Sequence, residues 1–338
     1  MKQFSYALIS RVCSGIIFIL FISAADYVFA EEIHGRVTDA DTGDALAFVN
    51  ILVEGTQRGT MTDIDGYFTL NTREGESRLQ LSHVGYFTKV YEISPDIDFH
   101  HINMRSKPYE LKEVLVLSGD NPAHRIISNA IDHRKQNNPE RLTSFSYTSY
   151  NKITGTLDRN FYLDRFQISG DSIDYRLAET LEERHLFLME SVTERTFRFP
   201  NLDNEKVIAN RVSGLQNPLF TMLATELQSF SFYDNYITLM GNDFLSPLNR
   251  SAFSRYFYQL EDTLYQKMDS VFVISYKPQP GSNFTGLKGI LYINNDGWAI
   301  QNVIAHTPEN ADGGLSFRIQ QKYDKPGGKH WFPVQLNT

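Results

Sequence analysis

The chain has 338 residues, a formal net charge of -8 and 41% hydrophobic residues, enough for two domains that each bury a core. An acidic chain without basic runs argues against nucleic acid or an anionic lipid surface as a partner. Its single cysteine, Cys13, lies in the leader described next, so the remaining chain offers neither a thiol nucleophile nor a thiolate metal site.

Residues 1–30 read as a secretory signal. Lys2 and Arg11 give a positive start, "GIIFILFISAA" an apolar core, and Val28 and Ala30 the small residues before cleavage at Glu31. The apolar run, about a dozen residues, is short for a membrane span of roughly twenty. An uncleaved anchor is the alternative, and it leaves the same domains outside the inner membrane.

Aromatic residues make up 13% of the chain, with 24 Phe and 18 Tyr, which favours strands. From Ile33 onward short strands alternate with turns: "IHGRVTD", "AFVNILVEG" with Val49, Ile51 and Val53 as the core face, "GYFTL", "RLQLSHVGY", "TKVYEI" and "HHINMRS". That spacing predicts a β-sandwich over residues 31–106. His100 and His101 are adjacent on one strand, so their side chains face opposite sides and cannot share an ion. Residues 107–120 read as a linker whose "EVLVL" run pairs with a neighbouring sheet.

A domain over residues 121–338 follows. "NPAHRIISNAIDHRKQNNPE" is a helix, with Asn121 as cap, Pro122 at the first position and one apolar stripe of Ala123, Ile126, Ile127, Ala130 and Ile131. "SFSYTSYNKI", "NFYLDRFQI" and "HLFLMESVTERTFRF" are strand-like, and "NPLFTMLATELQSF" is a second helix candidate. Three hairpins close the chain, turning between "YFYQLEDTLY" and "SVFVISYKP", through Asn295-Asp296-Gly297, and through "KPGGK". A helix followed by a meander predicts an α+β domain, a curved antiparallel sheet with helices packed on it. The chain reaches Thr338 straight after a strand, as expected for part of a longer protein.

"GTMTDIDGYFTL" has the Asp-x-Asp-Gly opening of a calcium loop. An EF-hand loop needs a further oxygen ligand beside the Asp pair and a Glu beyond Gly66, where Met61 and Thr72 stand. Asp65-Gly66 therefore reads as a hairpin turn joining "RGTMT" to "YFTL", with Gly66 at positive φ and Asp63 bonding the turn backbone.

The same stretch carries a resemblance. "GRVTDADTGDALAFVNILVEGTQRGTMTDIDGYFTL" followed by "LSHVGY" resembles the carboxypeptidase regulatory-like family, transthyretin-like sandwiches that are non-catalytic and that precede outer-membrane receptors in Bacteroidetes. The remainder, through "FLMESVTER", "FVISYKP", "GLKGILYIN" and "WFPVQLNT", resembles a family of unknown function that follows this sandwich in the same bacteria. There the chain usually continues into an expected outer-membrane β-barrel. The helix-then-meander order is also similar to periplasmic lipoprotein carriers, an analogy of fold alone.

The chemical candidates are few. "HTPE" has the His-x-x-Glu spacing of a zinc site, but the only later histidine is His330, so the expectation is no metal. No nucleophile elbow, phosphate loop or His-Glu-x-x-His occurs, and neither an enzyme nor a cofactor is expected. "LQSFSFYDNYITLM" interleaves Phe230, Phe232, Tyr233 and Tyr236 with polar residues. It reads as an aromatic platform for a glycan or lipid, or as a strand packing one aromatic face inward. The expected function is a non-enzymatic binding or interaction module of the Gram-negative envelope, in the periplasm or at the outer membrane through a further barrel. The alternative is a soluble periplasmic carrier holding an apolar ligand on a concave sheet, and a hydrolase without a motif comes third. An apolar cavity between the helix and the C-terminal hairpins favours the carrier; a filled sheet opposes it.

Overall fold

The computed structural model describes residues 31–337 except 74, 95, 108–120, 156–186, 201, 215–229, 240, 267–268, 282–283 and 309–316. The leader, the "EVLVL" run, the "NFYLDRFQI" strand and all but the last residue of the second helix candidate lie outside the described residues.

Seven strands form the sandwich: β1 (Glu31–Asp39), β2 (Asn50–Val53), β3 (Gly59–Met61), β4 (Tyr67–Thr72), β5 (Arg78–Ser82), β6 (Lys89–Glu92) and β7 (Phe99–Met104). They pair as two sheets, in the orders β4-β1-β7 and β3-β2-β5-β6. Strict alternation in β4 and β7 turns Phe68, Leu70, Ile102 and Met104 inward, where they meet Val49, Ile51, Leu79 and Leu81 of the facing sheet. His100 is buried and hydrogen-bonds the Tyr91 hydroxyl at 3.0 Å, while His101 faces outward.

The stretch around Asp65-Gly66 differs from its reading as a hairpin. β3 pairs with β2, and β4 pairs with β1 in the other sheet, so residues 63–66 form the corner where the chain crosses between sheets. A corner and a hairpin use the same local chemistry, which is why the sequence does not separate them. Asp63 Oδ1 accepts the Tyr67 N–H at 2.8 Å, and the Asp63 carbonyl accepts the Gly66 N–H at 3.1 Å. Gly66 has φ of 81°, and a Cβ there would lie 2.5 Å from the Val37 carbonyl oxygen.

After the sandwich comes α1 (Pro122–Asn137), capped by the Asn121 side chain, which accepts from Ala123 N–H at 2.9 Å. The helix buries the expected stripe of Ala123, Ile126, Ile127, Ala130 and Ile131. Each isoleucine gives at most about 1.5–3 kcal/mol of burial. A nine-stranded sheet follows, ordered β10-β9-β8-β18-β17-β16-β15-β14-β13. Its strands are β8 (Ser144–Gly155), β9 (Phe187–Arg198), β10 (Leu202–Gly214), β13 (Tyr256–Gln266), β14 (Asp269–Pro278), β15 (Lys288–Asn294), β16 (Ala299–His306), β17 (Arg318–Asp324) and β18 (Phe332–Asn337). Every neighbouring pair is antiparallel except β18 with β8, which is parallel. β10 is exposed along nearly its whole length and has no apolar face, so the sequence gives no sign of it.

A separate hairpin, β11 (Tyr236–Leu239) with β12 (Asn242–Leu245), joins α1 on the inner face of the sheet. Beneath them lie Ile274, Leu291, Ile293, Ile300, Val303 and Ile319 in one buried cluster. Tyr256 and Tyr258 are fully buried there, and their hydroxyls donate to the Leu245 and Pro247 carbonyls at 2.5 Å each. The alternate residues of the central strands point to the outer face, where the sandwich covers them.

The corner glycine gives a direct test of this packing. Gly43 also has positive φ, 76°, but a Cβ there meets nothing within 4 Å. Gly43→Ala is expected to cost about 1–2 kcal/mol from backbone conformation alone. Gly66→Ala adds the Val37 clash and is expected to cost about 3 kcal/mol. Urea unfolding of the two variants measures the difference, and equal losses would remove the close approach from the explanation.

Candidate functional site

The sandwich meets the sheet through the segment before β2 and the corner after β3. Ala47, Phe48 and Ile64 pack on Val271, Val273, Tyr292 and Ile304 in one buried cluster. The Phe48 and Tyr292 rings meet edge to face with centroids 5.7 Å apart, a contact worth about 0.5–1.5 kcal/mol beyond its burial. Phe48 has φ of 62°, a left-handed conformation that a bulky residue rarely adopts. Thr62 holds it in place. The Thr62 hydroxyl donates to the Leu46 carbonyl at 2.7 Å and accepts the Val49 N–H at 2.8 Å. The Phe48 N–H donates to the Thr62 carbonyl at 3.2 Å. The strain directs one aromatic side chain out of the sandwich and into the neighbouring sheet, so the surrounding packing over-determines it.

Beside this apolar seam lies a charged one. The strand register places Lys288, His306 and Arg318 side by side on β15, β16 and β17. From the sandwich, the Tyr86 hydroxyl donates to Asp39 Oδ2 at 2.7 Å, and Asp39 Oδ1 accepts the Asp41 and Thr42 N–H groups at 2.7 and 3.0 Å. Burial works against the charged form of Asp39, but Tyr86, these backbone donors and Arg318 outweigh it and hold the carboxyl below its usual range. His83 stacks edge to face on Tyr86 at 5.1 Å, and its Nδ1 is sealed with no hydrogen-bond partner among the described residues. Burial, then the Arg318 charge, pushes His83 down to about 4. Burial, then Arg318 and Lys288, does the same to His306. Both imidazoles are neutral at pH 7. With its Nδ1 sealed, His83 is poorly placed for proton transfer to a substrate.

A second ionic group ties the end of α1 to the sheet edge. Arg195 of β9 bonds Asp203 through Nε at 3.0 Å and Nη2 at 2.6 Å, and Glu140 through Nη2 at 2.9 Å. Burial opposes the guanidinium charge, but Asp203, Tyr147 and Glu140 outweigh it and raise its pKa.

The aromatic stretch 230–236 splits between surroundings. Phe232 and Tyr233 are in the core at 0% and 2% exposure, Phe230 packs against that core, and Tyr236 is 57% exposed. The Tyr233 hydroxyl accepts the Ile300 N–H at 2.8 Å. These side chains do not share one exposed face; the strand starts only at Tyr236, and the residues before it form turns that fold two rings inward. Of "HTPE", His306 ends β16 beside Arg318, and Glu309 lies outside the described residues. His330 sits past β17, at the far end of β16 from His306, about one strand length or 20 Å away.

The sequence reading missed a cavity of about 190 Å³ where the end of α1 meets two hairpin turns. Its lining includes Gln136, Asp296, Lys325, Lys329, His330 and Trp331. The Asn137 amide donates to the Gly297 carbonyl at 2.8 Å, pinning helix to turn. Lys325 pairs with Asp296 and lies 5.2 Å over the Trp331 ring, whose Nε1–H donates to the Asp296 carbonyl at 3.2 Å. These residues come from three distant parts of the chain, each legible in the sequence only as a helix end or a hairpin turn. Between α1 and the sheet the facing side chains pack into one buried apolar cluster.

The chain is a two-part protein, a β-sandwich docked on a helix-backed antiparallel sheet. Residues 33–116 match the CarboxypepD_reg-like domain. Residues 126–338 match the family of unknown function DUF5686, and the chain belongs to that family. A 110-residue stretch is 28% identical to TonB-dependent receptor P3 of Formosa agariphila, covering 32% of this chain and 11% of the receptor. The chain therefore spans about a ninth of that relative's length.

The charged seam makes stability depend on pH. Both imidazoles have folded pKa values near 4, below the ordinary 6.5, so the unfolded chain binds more protons between those values. Stability is complete above about 6.5 and falls as pH drops toward about 4. With both rings partly open to solvent, the loss is expected to be about 2–3 kcal/mol. Denaturant midpoints across this range measure it, and His83→Gln is expected to reduce the slope by up to one proton.

Proposed function

We propose that this chain is the periplasmic part of an outer-membrane protein, a non-enzymatic module that binds or presents a partner from a rigid two-part body. The observation that carries this reading is the docking of the sandwich on the sheet. Phe48, Ile64 and Tyr292 bury one face, and the Asp39, Tyr86, Arg318 cluster borders it. An apolar seam of this kind fixes the angle between the parts, as a spacer or presenting module requires. The match to a CarboxypepD_reg-like domain and the likeness to part of a TonB-dependent receptor support placement in the envelope. The leader at residues 1–30 supports export. The filled inner face argues against the carrier alternative, because an apolar ligand there would have to displace α1. The buried charges described above are paired within the fold, which supports a module without chemistry of its own.

Fractionation of cells making the full natural reading frame tests this proposal. The protein is expected in the outer-membrane fraction, with residues 31–338 resistant to added protease until the outer membrane is permeabilised. Recovery in the cytoplasm, or cleavage in intact cells, would overturn it.

A further inference from the structure

We infer that the cavity at the end of α1 is a binding site for a single carboxylated pyranose ring. Its volume of about 190 Å³ is below the roughly 300–1,000 Å³ of sites for drug-sized ligands, so it admits one small ring and no extended chain. The backbone around it is unusual. Gly297, Gly327 and Gly328 have φ of 72°, 67° and 74°, and Trp298 has 53° although it is bulky. The three glycines adopt this conformation without cost and let both turns close tightly beside the helix end.

The chemistry of the walls selects the ligand. Lys325 is neutralised by Asp296, which leaves Lys329 as an uncompensated cation on the rim of an otherwise acidic chain. The side chains of Gln136, Lys329 and His330 form no hydrogen bond or ion pair among the described residues, so all three are available to a ligand. The Gln136 amide both donates and accepts, as hydroxyl groups do. The Trp331 indole is fixed by its hydrogen bond to Asp296, Lys325 lies over one face, and the rest of the half-buried ring lines the cavity as apolar surface. An aromatic platform, an amide and one free cation together fit a ring that carries hydroxyls and a single carboxylate. A bare inorganic anion would use the lysine and leave the indole idle.

This proposal takes its biological setting from the envelope reading, but it is tested on the purified full chain, so its failure is distinct from a failed localisation. The chain has two tryptophans, so the indole N–H of Trp331 gives one of two resonances in a nitrogen-proton spectrum. D-glucuronate is expected to shift that resonance saturably, D-glucose to bind more weakly, and acetate to leave it unmoved. Lys329→Ala, an exposed change, is expected to weaken glucuronate binding about tenfold, as for loss of one charge-assisted hydrogen bond, without altering the melting temperature. Trp331→Ala is expected to abolish binding. Absence of a shift with glucuronate would overturn the proposal. So would acetate competing as well as the sugar, or Lys329→Ala binding like the parent chain.

Discussion

The architecture depends on a sheet whose central strands are apolar on both faces. In β15 and β16 almost every residue is buried, and neither face tolerates water. Covering one face leaves the other as an exposed apolar surface, which a soluble body does not keep. Here the inner face is covered by α1 and the β11–β12 hairpin, and the outer face by the sandwich. The two parts of the chain are therefore halves of one packing solution. The left-handed Phe48 follows from this, because a regular strand at that point would keep its side chain within the sandwich.

Much of this was legible in the residues. Asn121, Pro122 and the isoleucine stripe of α1 are local signals, and the helix has the cap, start and buried face they imply. "GILYIN" and "AIQNVIAH" run apolar almost without alternation, the mark of a strand buried twice. That pattern states that both faces are covered, but not by what. The sandwich's contribution, Phe48 and Ile64, is spread over two short stretches whose periodicity suits a core as well as an interface.

Three features stayed out of reach for different physical reasons. β10 is held by its ladder to β9 and by the Asp203–Arg195 pair rather than by burial, so no hydrophobic period announces it. The corner at Asp63–Gly66 is set by long-range pairing, while its turn chemistry is local. The aromatic stretch at 230–236 follows no regular period because most of it is turns, and each ring goes where space permits. The cavity was hidden for a fourth reason. Its walls are three chain ends that each read as a helix stop or a tight turn, and a site appears only when the sheet brings them together.

The two seams and the cavity occupy separate regions of the sheet. Arg318 starts β17 and lies by the charged seam under the sandwich, whereas Lys325, just past the end of β17, faces the cavity. The strand between them pairs with β16 over residues 318–322 and with β18 over residues 320–324. The cavity rim is built from turns and a helix end, and the docking cluster from strand interiors. Occupation of the cavity therefore requires no opening of the sandwich, and titration of His83 and His306 acts on the docking without touching the cavity walls. A body arranged in this way can hold its two parts at a constant angle while its rim engages ligand. The seam is thus built from strand interiors and the rim from turns, so each can change by substitution without disturbing the other.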